Sequence, residues 1–303
     1  MITIILSFFI VSSDINVGTT GFNFLKITPT AKEAAMANVG IGAEPTGLSG
    51  LGFLFNPATN INKKIISAGY IDYLADINVG VIGYFLPSPL SFLNSGGISI
   101  TYLNSGKIKR TDIAGNELGT FSVSYLNFNI NGNRAITSNL NIGSSLKILY
   151  GAIDSFFGYG LAADLGVRYR PNIKDLSFGI AIKNLGYQLK SFDVARDKLP
   201  LDIGIGVGYH LNDNINLALD IHKPIDNIFV VNLGVEGWVN QYVALRGGYN
   251  SLGKDYRGDG LANITSGFTL GLGIKYLKYQ LDYSFTPMGN LGRLHHLSFN
   301  LSL

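Results

Sequence analysis

Cysteine is absent from the 303 residues of this chain. Disulfide bonds, thiolate metal sites and cysteine nucleophiles are therefore excluded. Charged residues are also scarce, at 14% of the chain, against about 25% in soluble domains. The net charge of +3 is spread along the sequence without a cluster of Lys or Arg, which argues against nucleic-acid binding.

The sequence contains no apolar run of the ~18 residues that a membrane-spanning helix requires. The mean hydropathy is nevertheless +0.25, and 38 residues are glycine. This combination is typical of a protein whose outer surface meets lipid. Because only helices and closed barrels satisfy every backbone polar group in a bilayer, a membrane structure here must be a closed β-barrel.

The longest apolar run is the N-terminus itself, MITIILSFFIVSS. Its length and the small residues at its end predict a secretory signal peptide over residues 1–13. The basic segment that usually precedes such a run is missing, so an ordinary first strand is the alternative interpretation.

Residues 201–222, LDIGIGVGYHLNDNINLALDIH, show the clearest pattern in the chain. Apolar and polar residues alternate strictly on both sides of a turn at Asn212-Asp213, which is the mark of a strand with two different faces. Each run has about ten residues, the length of a tilted strand that crosses a bilayer. The polar face is rich in glycine rather than in Lys and Glu. The pattern predicts a lipid-facing β-hairpin.

Similar alternation recurs from Lys63 to the end of the chain. It predicts an all-β fold, a transmembrane antiparallel up-and-down β-barrel of about 14 strands over residues 63–303. The expected strands are approximately 63–73, 76–87, 93–103, 119–131, 136–150, 157–170, 175–185, 199–211, 214–222, 228–239, 242–250, 264–276, 278–286 and 293–303.

The lengths of the predicted connections sort by strand parity. Three connections after odd-numbered strands are long, at 104–118, 186–198 and 251–263. Connections after even-numbered strands are short, at 131–135, 171–174, 212–213, 240–241 and 277–278. Outer-membrane barrels place short turns at the periplasmic mouth and long loops outside. The sorting therefore favours the bacterial outer membrane as the location.

Residues 14–62 do not alternate, and they form the expected N-terminal plug or hatch. The Ala-rich stretch Ala31–Ala37 follows Pro29 and predicts one or two turns of helix. The segment is too short for a separate domain. Its size suits a plug folded into a barrel mouth.

Charged residues fall on the predicted luminal face of many strands. In the hairpin around residues 240–241, Glu236 is expected opposite Ala244 or Arg246, which makes a luminal ion pair plausible. Pore lining and barrel register are the simpler interpretation of these charges, with gating or ligand orientation as the alternative. The residues concerned are Lys147, Asp164, Arg168, Arg170, Lys183, Asp202, Asp220, Glu236, Arg246, Lys275 and Asp282.

Motifs of enzymes and metal proteins are weak or misplaced in this sequence. The glycines of Gly204–Gly208 lie inside a predicted strand, whereas a phosphate-binding loop must open a helix. The four histidines are not spaced to converge on one metal. No catalytic residue, metal site or cofactor is predicted, and the function is expected to be non-enzymatic, with an outer-membrane hydrolase as a minor alternative.

The segment GTTGFNFLKITPTAKEAAMANVGIGAEPTGLSGLGFLFNPA, residues 18–58, resembles the opening of the PorV/PorQ family of outer-membrane proteins. Departures from the family pattern are Phe55 in place of Trp, and Glu44-Pro45-Thr46 in place of paired aspartates. Asn-Pro-Ala is also a feature of the wider FadL-like barrels, and the resemblance implies a fourteen-stranded barrel with an N-terminal hatch. The residues that carry it as hatch motifs are Phe24, Leu25, Lys26, Ala35, Met36, Asn56, Pro57 and Ala58, and it implies that the last three mark the point where the hatch joins the wall.

Two functions follow from this resemblance. The main expectation is docking or shuttling of secreted proteins at the cell surface, as in type IX secretion, with a secretion-system protein as partner. The alternative is passive transport of small hydrophobic compounds across the outer membrane, with a hydrophobic ligand as partner. Outer-membrane lipid is expected as a partner in both. Transport needs an apolar pocket beside the hatch and an opening in the wall, for which a kink at Pro87-Ser88-Pro89 is one candidate, with a simple turn as the alternative interpretation of that site.

Overall fold

A computed structural model of the chain describes residues 17–88, 90–193, 195–256 and 265–303. The predicted signal peptide, residues 1–13, lies outside the described residues. The described strands include fourteen that close into one antiparallel barrel, joined in chain order except where a small hairpin intervenes. The predicted all-β barrel is confirmed.

The elements run in the following order. A short helix α1, Ala31–Ala35, precedes the strands, and short 3-10 helices lie at Asn23–Lys26, Gly52–Leu54, Leu74–Asp76, Ser251–Tyr256 and Gly289–Leu291. The strands are β1 Ile65–Asp72, β2 Asn78–Pro87, β3 Ser95–Asn104, β4 Ile108–Thr111, β5 Glu117–Phe121, β6 Val123–Ala135, β7 Leu140–Ile153, β8 Phe156–Tyr169, β9 Leu176–Lys190, β10 Asp202–Asn212, β11 Ile215–Pro224, β12 Val230–Trp238, β13 Val243–Asn250, β14 Phe268–Tyr276, β15 Tyr279–Pro287 and β16 Arg293–Ser302.

The first and last strands close the wall. β1 pairs antiparallel with β16, from Ile65 opposite Ser302 to Asp72 opposite His295. The backbone N–H of Leu303 also donates to the carbonyl of Lys64 at 2.9 Å. Closure removes the two edges that an open sheet would present to lipid.

The outer face of the wall carries the apolar half of the strand alternation. Leu146 is 67% exposed and Leu270 is 64% exposed, whereas their neighbours Ser145 and Thr269 are buried in the lumen. This apolar band is what a barrel presents to hydrocarbon. Among the described residues, no helix is long and apolar enough to cross a bilayer.

The largest correction to the predicted strands concerns β6. Residues 119–121 belong to the β4–β5 hairpin, and the predicted turn 131–135 is the end of β6. The sequence Asn131-Gly132-Asn133 has turn chemistry, but both asparagines point into the lumen and are buried. Their amides donate to the carbonyls of Pro57 and Thr59, so contacts with the hatch replace the turn.

Loop lengths follow the predicted sorting only in part, because connections 73–77, 225–229 and 288–292 at the mouth with the long loops are shorter than connection 88–94 at the opposite mouth. The three long connections, 105–122, 191–201 and 251–267, lie at the same mouth of the barrel, called here the long-loop mouth. Residues 154–155 at that mouth form a two-residue turn between β7 and β8, where Asp154 has a positive φ of 57°. The opposite mouth is called the short-turn mouth.

At Pro87-Ser88 the structure has the turn that is the alternative interpretation, and the strand is not kinked there. Pro87 is the last residue of β2, and the N–H of Ser88 donates to the carbonyl of Asn94 at 2.8 Å in the turn to β3. Pro89 lies outside the described residues. A proline without an N–H ends a strand more readily than it bends one.

Candidate functional site: the hatch and its chambers

The hatch, defined here as residues 17–64, runs through the barrel lumen from one mouth to the other. At the long-loop mouth Thr20 forms a bridge with Lys198, and its hydroxyl donates to Asp226 at 2.8 Å. At the short-turn mouth the hatch ends at Lys64, where β1 begins. The described part of the hatch is thus tied to the wall at both ends.

Aromatic packing anchors the start of the hatch near the long-loop mouth. Phe24 stacks on Tyr125 with ring centroids 5.0 Å apart, and Phe22 lies 5.7 Å from Phe192. Phe22 is 1% exposed and Phe24 is 6% exposed. Burial of each ring contributes roughly 1.5–3 kcal/mol, so this end of the hatch is held by apolar surface.

Glycines in the wall let the hatch backbone approach the strand backbone. A Cβ atom on Gly179 would lie 1.9 Å from the carbonyl oxygen of Ile41, and one on hatch residue Gly42 would lie 2.2 Å from the carbonyl carbon of Gly206. No side chain fits at such distances. The glycine-rich luminal face is therefore the surface against which the hatch packs.

Charged side chains of the wall hold hatch residues 40–44. Asp220 accepts from the backbone N–H groups of Gly40 at 2.7 Å and Ile41 at 2.9 Å. Arg168 donates to the carbonyls of Gly40 at 3.0 Å and Ala43 at 2.5 Å. Two opposite charges from neighbouring parts of the wall thus satisfy both the donors and the acceptors of this irregular backbone.

Arg170 and Glu44 add a two-point ion pair outside the strands. Nε of Arg170 lies 2.8 Å from one carboxylate oxygen of Glu44, and Nη2 lies 2.7 Å from the other. Burial raises the pKa of Glu44, but the hydrogen bond from Arg170 and the charges of Arg168 and Arg170 outweigh burial and hold that pKa below its usual value. The carboxylate form is therefore favoured by the folded hatch.

A buried charge cluster joins the hatch to β12–β15. Arg246 donates to Glu236 at 2.7 Å and to Asp282 at 2.8 Å. Glu236 lies opposite Arg246 in the β12–β13 register, one of the two pairings expected from the sequence. Glu236 also accepts from the hydroxyl of Thr46 on the hatch. Such a pair costs desolvation and is stabilised by its additional hydrogen bonds.

The Asn56-Pro57-Ala58 motif lies against β6–β9. The amide of Asn56 donates to the carbonyls of Ile41 at 2.8 Å and Val167 at 3.0 Å. Asn131 on β6 donates to the carbonyl of Pro57 at 3.1 Å. The side chain of Asn56 therefore links its own segment of the hatch to Ile41 of the hatch and to Val167 of β8.

The other hatch-motif residues are distributed along its path. Lys26 pairs with Asp226, and Leu25 packs beside the aromatic cluster. Ala35 ends α1 against Gly271 of β14. Met36 contacts Gly234 and Gly248 of the wall.

A second buried polar network lies at an irregularity of β9. Lys147 pairs with Asp164 at 2.6 Å and donates to Asn184 at 2.8 Å. Asn184 has a positive φ of 61°, and the strand register with β8 shifts there. The N–H of Asn184 donates to the carboxylate of Asp164 at 2.8 Å. This N–H therefore keeps a hydrogen-bond partner although the bulge removes it from the strand ladder.

The wall is interrupted beside this bulge. β10 begins at Asp202, which lies opposite Lys183 of β9. Beyond that pair, toward the long-loop mouth, residues 184–190 of β9 no longer pair with β10 and instead lie beside the loop 191–201. Tyr187 of β9 forms an isolated bridge with Lys198 of that loop. A pocket of about 330 Å³ opens here on the barrel wall, between Leu185 and Tyr187 on one side and Leu199, Leu201 and Ile225 on the other. It is called here the wall pocket.

Two chambers remain inside the long-loop half of the barrel. The first chamber, of about 180 Å³, lies between the hatch and β9–β13. The second chamber, of about 430 Å³, lies between the hatch and β13–β16. Toward the short-turn mouth, a space of only about 40 Å³ lies between the hatch and the wall around Arg168 and His210. The hatch thus fills one half of the lumen and leaves space in the other.

Asn184 connects the wall pocket with the first chamber, because it lines both. Its side-chain amide nitrogen donates to the carbonyl of Pro200 at 2.9 Å. This bond joins β9 to the loop 191–201 where the wall is interrupted. On the chamber side lie Lys183 and Asp202, with an N–O distance of 3.3 Å, and His222, 3.0 Å from Asp202.

Seven of the eleven predicted luminal charges lie in two parts of the wall. Arg168, Asp220, Glu236, Arg246 and Asp282 lie in the wall that holds the hatch, whereas Asp164 and Asp202 flank the bulge of β9. Across the described residues, no group of three or more His, Asp or Glu side chains converges on a point that suits a metal ion.

Sequence reasoning missed the bulge at Asn184 and the asparagines that line the chambers. The bulge depends on register across three strands, which a sequence pattern does not contain. A signal was nevertheless present, because Lys183-Asn184 interrupts the apolar alternation of its strand.

A closed antiparallel barrel with a lipid-facing apolar band and a polar, hatch-filled lumen defines an outer-membrane β-barrel protein. Comparison with solved structures identifies the same architecture. The Pseudomonas putida toluene transporter TodX matches with a TM-score of 0.61 and 14% identity, over 90% of this chain and 96% of TodX. The Ralstonia pickettii toluene transporter TbuX matches with a TM-score of 0.64 and 12% identity, over 94% of this chain and 99% of TbuX.

A Pseudomonas aeruginosa FadL homologue matches with a TM-score of 0.55 and 10% identity, over 91% of this chain and 98% of that chain. The protein therefore has the fold of the FadL-type barrels. No protein-family model matches the sequence, and no curated protein matches it. The PorV/PorQ resemblance thus gains no support beyond the shared architecture.

Substitution Gly179→Val tests the backbone contact between wall and hatch. The new side chain collides with Ile41, and overpacking of this kind costs about 1–3 kcal/mol. We expect hydrogen exchange of hatch amides to accelerate about tenfold or more, measured by mass spectrometry of hatch peptides. Gly80→Val is the matched control, because a Cβ atom there has nothing within 4 Å. Unchanged protection in Gly179→Val would refute the contact.

The Glu44–Arg170 pair predicts a pH dependence of hatch stability. A carboxyl whose folded pKa is lowered stabilises the fold above its unfolded pKa, and this stabilisation is lost as the pH falls through the folded pKa. We expect hatch protection, corrected for the intrinsic exchange rate, to fall about threefold between about pH 7 and pH 3, since partly exposed pairs contribute at most about 1 kcal/mol. Glu44→Gln should show weaker protection at pH 7 and a smaller change with pH. Equal pH dependence in both proteins would contradict the assignment.

Proposed function

We propose that this protein is a passive outer-membrane transporter of small hydrophobic compounds. Compounds in the outer leaflet enter the wall pocket beside β9, pass Asn184 into the chambers and leave toward the short-turn mouth when the hatch loosens. No chemical step is involved. The protein acts as a binding and diffusion pathway.

One observation carries this proposal, which is the position of the wall pocket next to the first chamber. The outer edge of the pocket carries Leu185 and Tyr187, which are 50% and 59% exposed, and the lining also includes Gln188 and the charged residues 196–198 of the loop. Among the described residues, Asn184 is the one that lines both spaces. Because strand pairing stops at Lys183, movement of the long loop opens the wall there without breaking a β-ladder.

The names of the structural relatives support the same class of cargo. TodX and TbuX are each described as a toluene transporter. Their sequence identity to this chain is too low to transfer a ligand, so the ligand class has to be inferred from the residues that line the chambers.

A disulfide across the wall pocket tests the route. Tyr187 and Lys198 are partners in an antiparallel bridge, where Cα atoms lie about 4.5–5.5 Å apart, within the range of a disulfide. The chain has no native cysteine, so the pair Tyr187→Cys with Lys198→Cys forms a unique cross-link. We expect accumulation of radiolabelled ethylbenzene by intact bacteria carrying the oxidised protein to fall at least about tenfold, and to recover on reduction.

The control pair is Ile82→Cys with Ile100→Cys, which are partners in an uninterrupted part of the wall. Its oxidation should leave ethylbenzene accumulation unchanged. If oxidation of the 187–198 pair leaves accumulation unchanged as well, the route through the wall pocket is refuted.

Protein docking is the second candidate function, and the hairpin β4–β5 is the feature that favours it. Ile113 at its tip is fully exposed, and Leu118 is 62% exposed. Apolar side chains at the end of a surface hairpin suit a protein partner. Deletion of residues 108–121 should abolish recovery of a stoichiometric partner from detergent-solubilised native membranes while leaving ethylbenzene accumulation intact. Recovery of no partner by the intact protein would remove this candidate.

A further inference from the structure

Seven of the described residues line both chambers, and four of them carry side-chain N–H donors. Lys26, Asn38, Asn227 and Asn250 line both chambers. The first two belong to the hatch, Asn227 lies in the loop between β11 and β12, and Asn250 ends β13. These four residues form what we call the junction.

The orientation of each junction amide is fixed by a bond to its oxygen. Asn38 accepts from the hydroxyl of Thr28 at 2.6 Å, Asn227 from the N–H of Ile228 at 2.8 Å, and Asn250 from the N–H of Leu252 at 2.7 Å. The NH₂ end is the remaining end in every case, and it carries only donors. Within the described ranges of the chain, none of these NH₂ groups has a protein acceptor, and all three residues are half-buried.

The charges around the chambers are balanced. Lys26 pairs with Asp226, and Lys183 pairs with Asp202. Apart from His222 and His296, the described lining of both chambers therefore holds two positive and two negative side chains. A carboxylate ligand would meet no excess positive charge.

The junction also has an apolar surround. Ile27 of the hatch and Leu252 after β13 line both chambers. A bare hydrocarbon at this position would cover the free NH₂ groups without giving them an acceptor, which is unfavourable. A ligand with an oxygen acceptor satisfies those groups and still buries its apolar part.

We propose that the junction binds the neutral carbonyl oxygen of a small amphipathic compound, such as a ketone, an ester or an amide, while its apolar part occupies the chambers. This inference rests on the proposed transport function and names its ligand class. It predicts that the chambers prefer such compounds to bare hydrocarbons of similar size, which the proposed route still admits.

Three compounds of similar size test the ligand class, namely acetophenone, ethylbenzene and benzoate. Binding to the purified, detergent-solubilised protein is measured by equilibrium dialysis, with partition into empty micelles subtracted. Acetophenone should bind at least as tightly as ethylbenzene, although it is the less hydrophobic compound, and more tightly than benzoate.

Asparagine-to-aspartate substitutions test the donors. Asn227→Asp and Asn250→Asp keep the size of the side chain and the accepting oxygen, but replace the donor with an acceptor. Each should weaken acetophenone binding about fivefold to tenfold, the effect of one lost hydrogen bond, and leave ethylbenzene binding unchanged. The matched control is Asn240→Asp, whose oxygen accepts from the N–H groups of Tyr242 and Val243 in an exposed turn, and which should change neither.

The possible outcomes separate this inference from the proposed function. Tightest binding of benzoate, equal effects of the substitutions on acetophenone and ethylbenzene, or no saturable binding of acetophenone would each overturn the inference. The order of the three binding affinities on the unsubstituted protein tests the inference without any variant. Acetophenone binding that follows the predicted pattern, with no protein-dependent accumulation in cells, would uphold the junction and refute transport.

Discussion

Closure of the hydrogen-bond ladder in lipid is the constraint on which this structure depends. A backbone N–H or C=O left unpaired in hydrocarbon costs several kcal/mol, so β1 must find β16 and the outer face must be apolar. Strand alternation then sends the polar residues inward. The interior of this protein is for that reason polar, as shown by the buried Asn129, Asp164 and Gln280. The hatch supplies hydrogen-bond partners to part of this interior, as the N–H of Leu48 does for Gln280.

The contacts between hatch and wall follow from the same arrangement, an apolar outer face around a polar interior. An irregular segment inside a barrel needs partners for its own backbone, and Asp220 and Arg168 supply an acceptor and donors to the same short stretch. Glycines bring the two backbones close enough for this to occur. Asp220, Arg168 and Glu236 thus contact the hatch directly, whereas Arg246, Asp164 and Asp202 pair with other side chains of the wall.

The strand ladder is interrupted at the place that the proposed transport route uses. Above Lys183, β9 exchanges a strand neighbour for a loop, and the bulge at Asn184 turns the strand while a buried ion pair supports it. The same place joins the wall pocket to the first chamber. The expected opening at Pro87 did not appear, because proline ended a strand there, whereas the interruption arose from an asparagine with a positive φ.

The sequence by itself determined the barrel, because a period of two and the scarcity of charge leave few other ways to satisfy the backbone in lipid. It also indicated the inward face of Asp220 and Glu236 and limited the partner of Glu236 to Ala244 or Arg246, since register in a tight hairpin is local. The tertiary structure alone decided which luminal residues meet. Lys26 is far from Asn227 and Asn250 in the sequence. These residues share a junction only because the start of the hatch lies inside the closed barrel at the long-loop mouth. Contacts between a folded segment and the wall around it depend on the whole path of the chain, and no local pattern records that path.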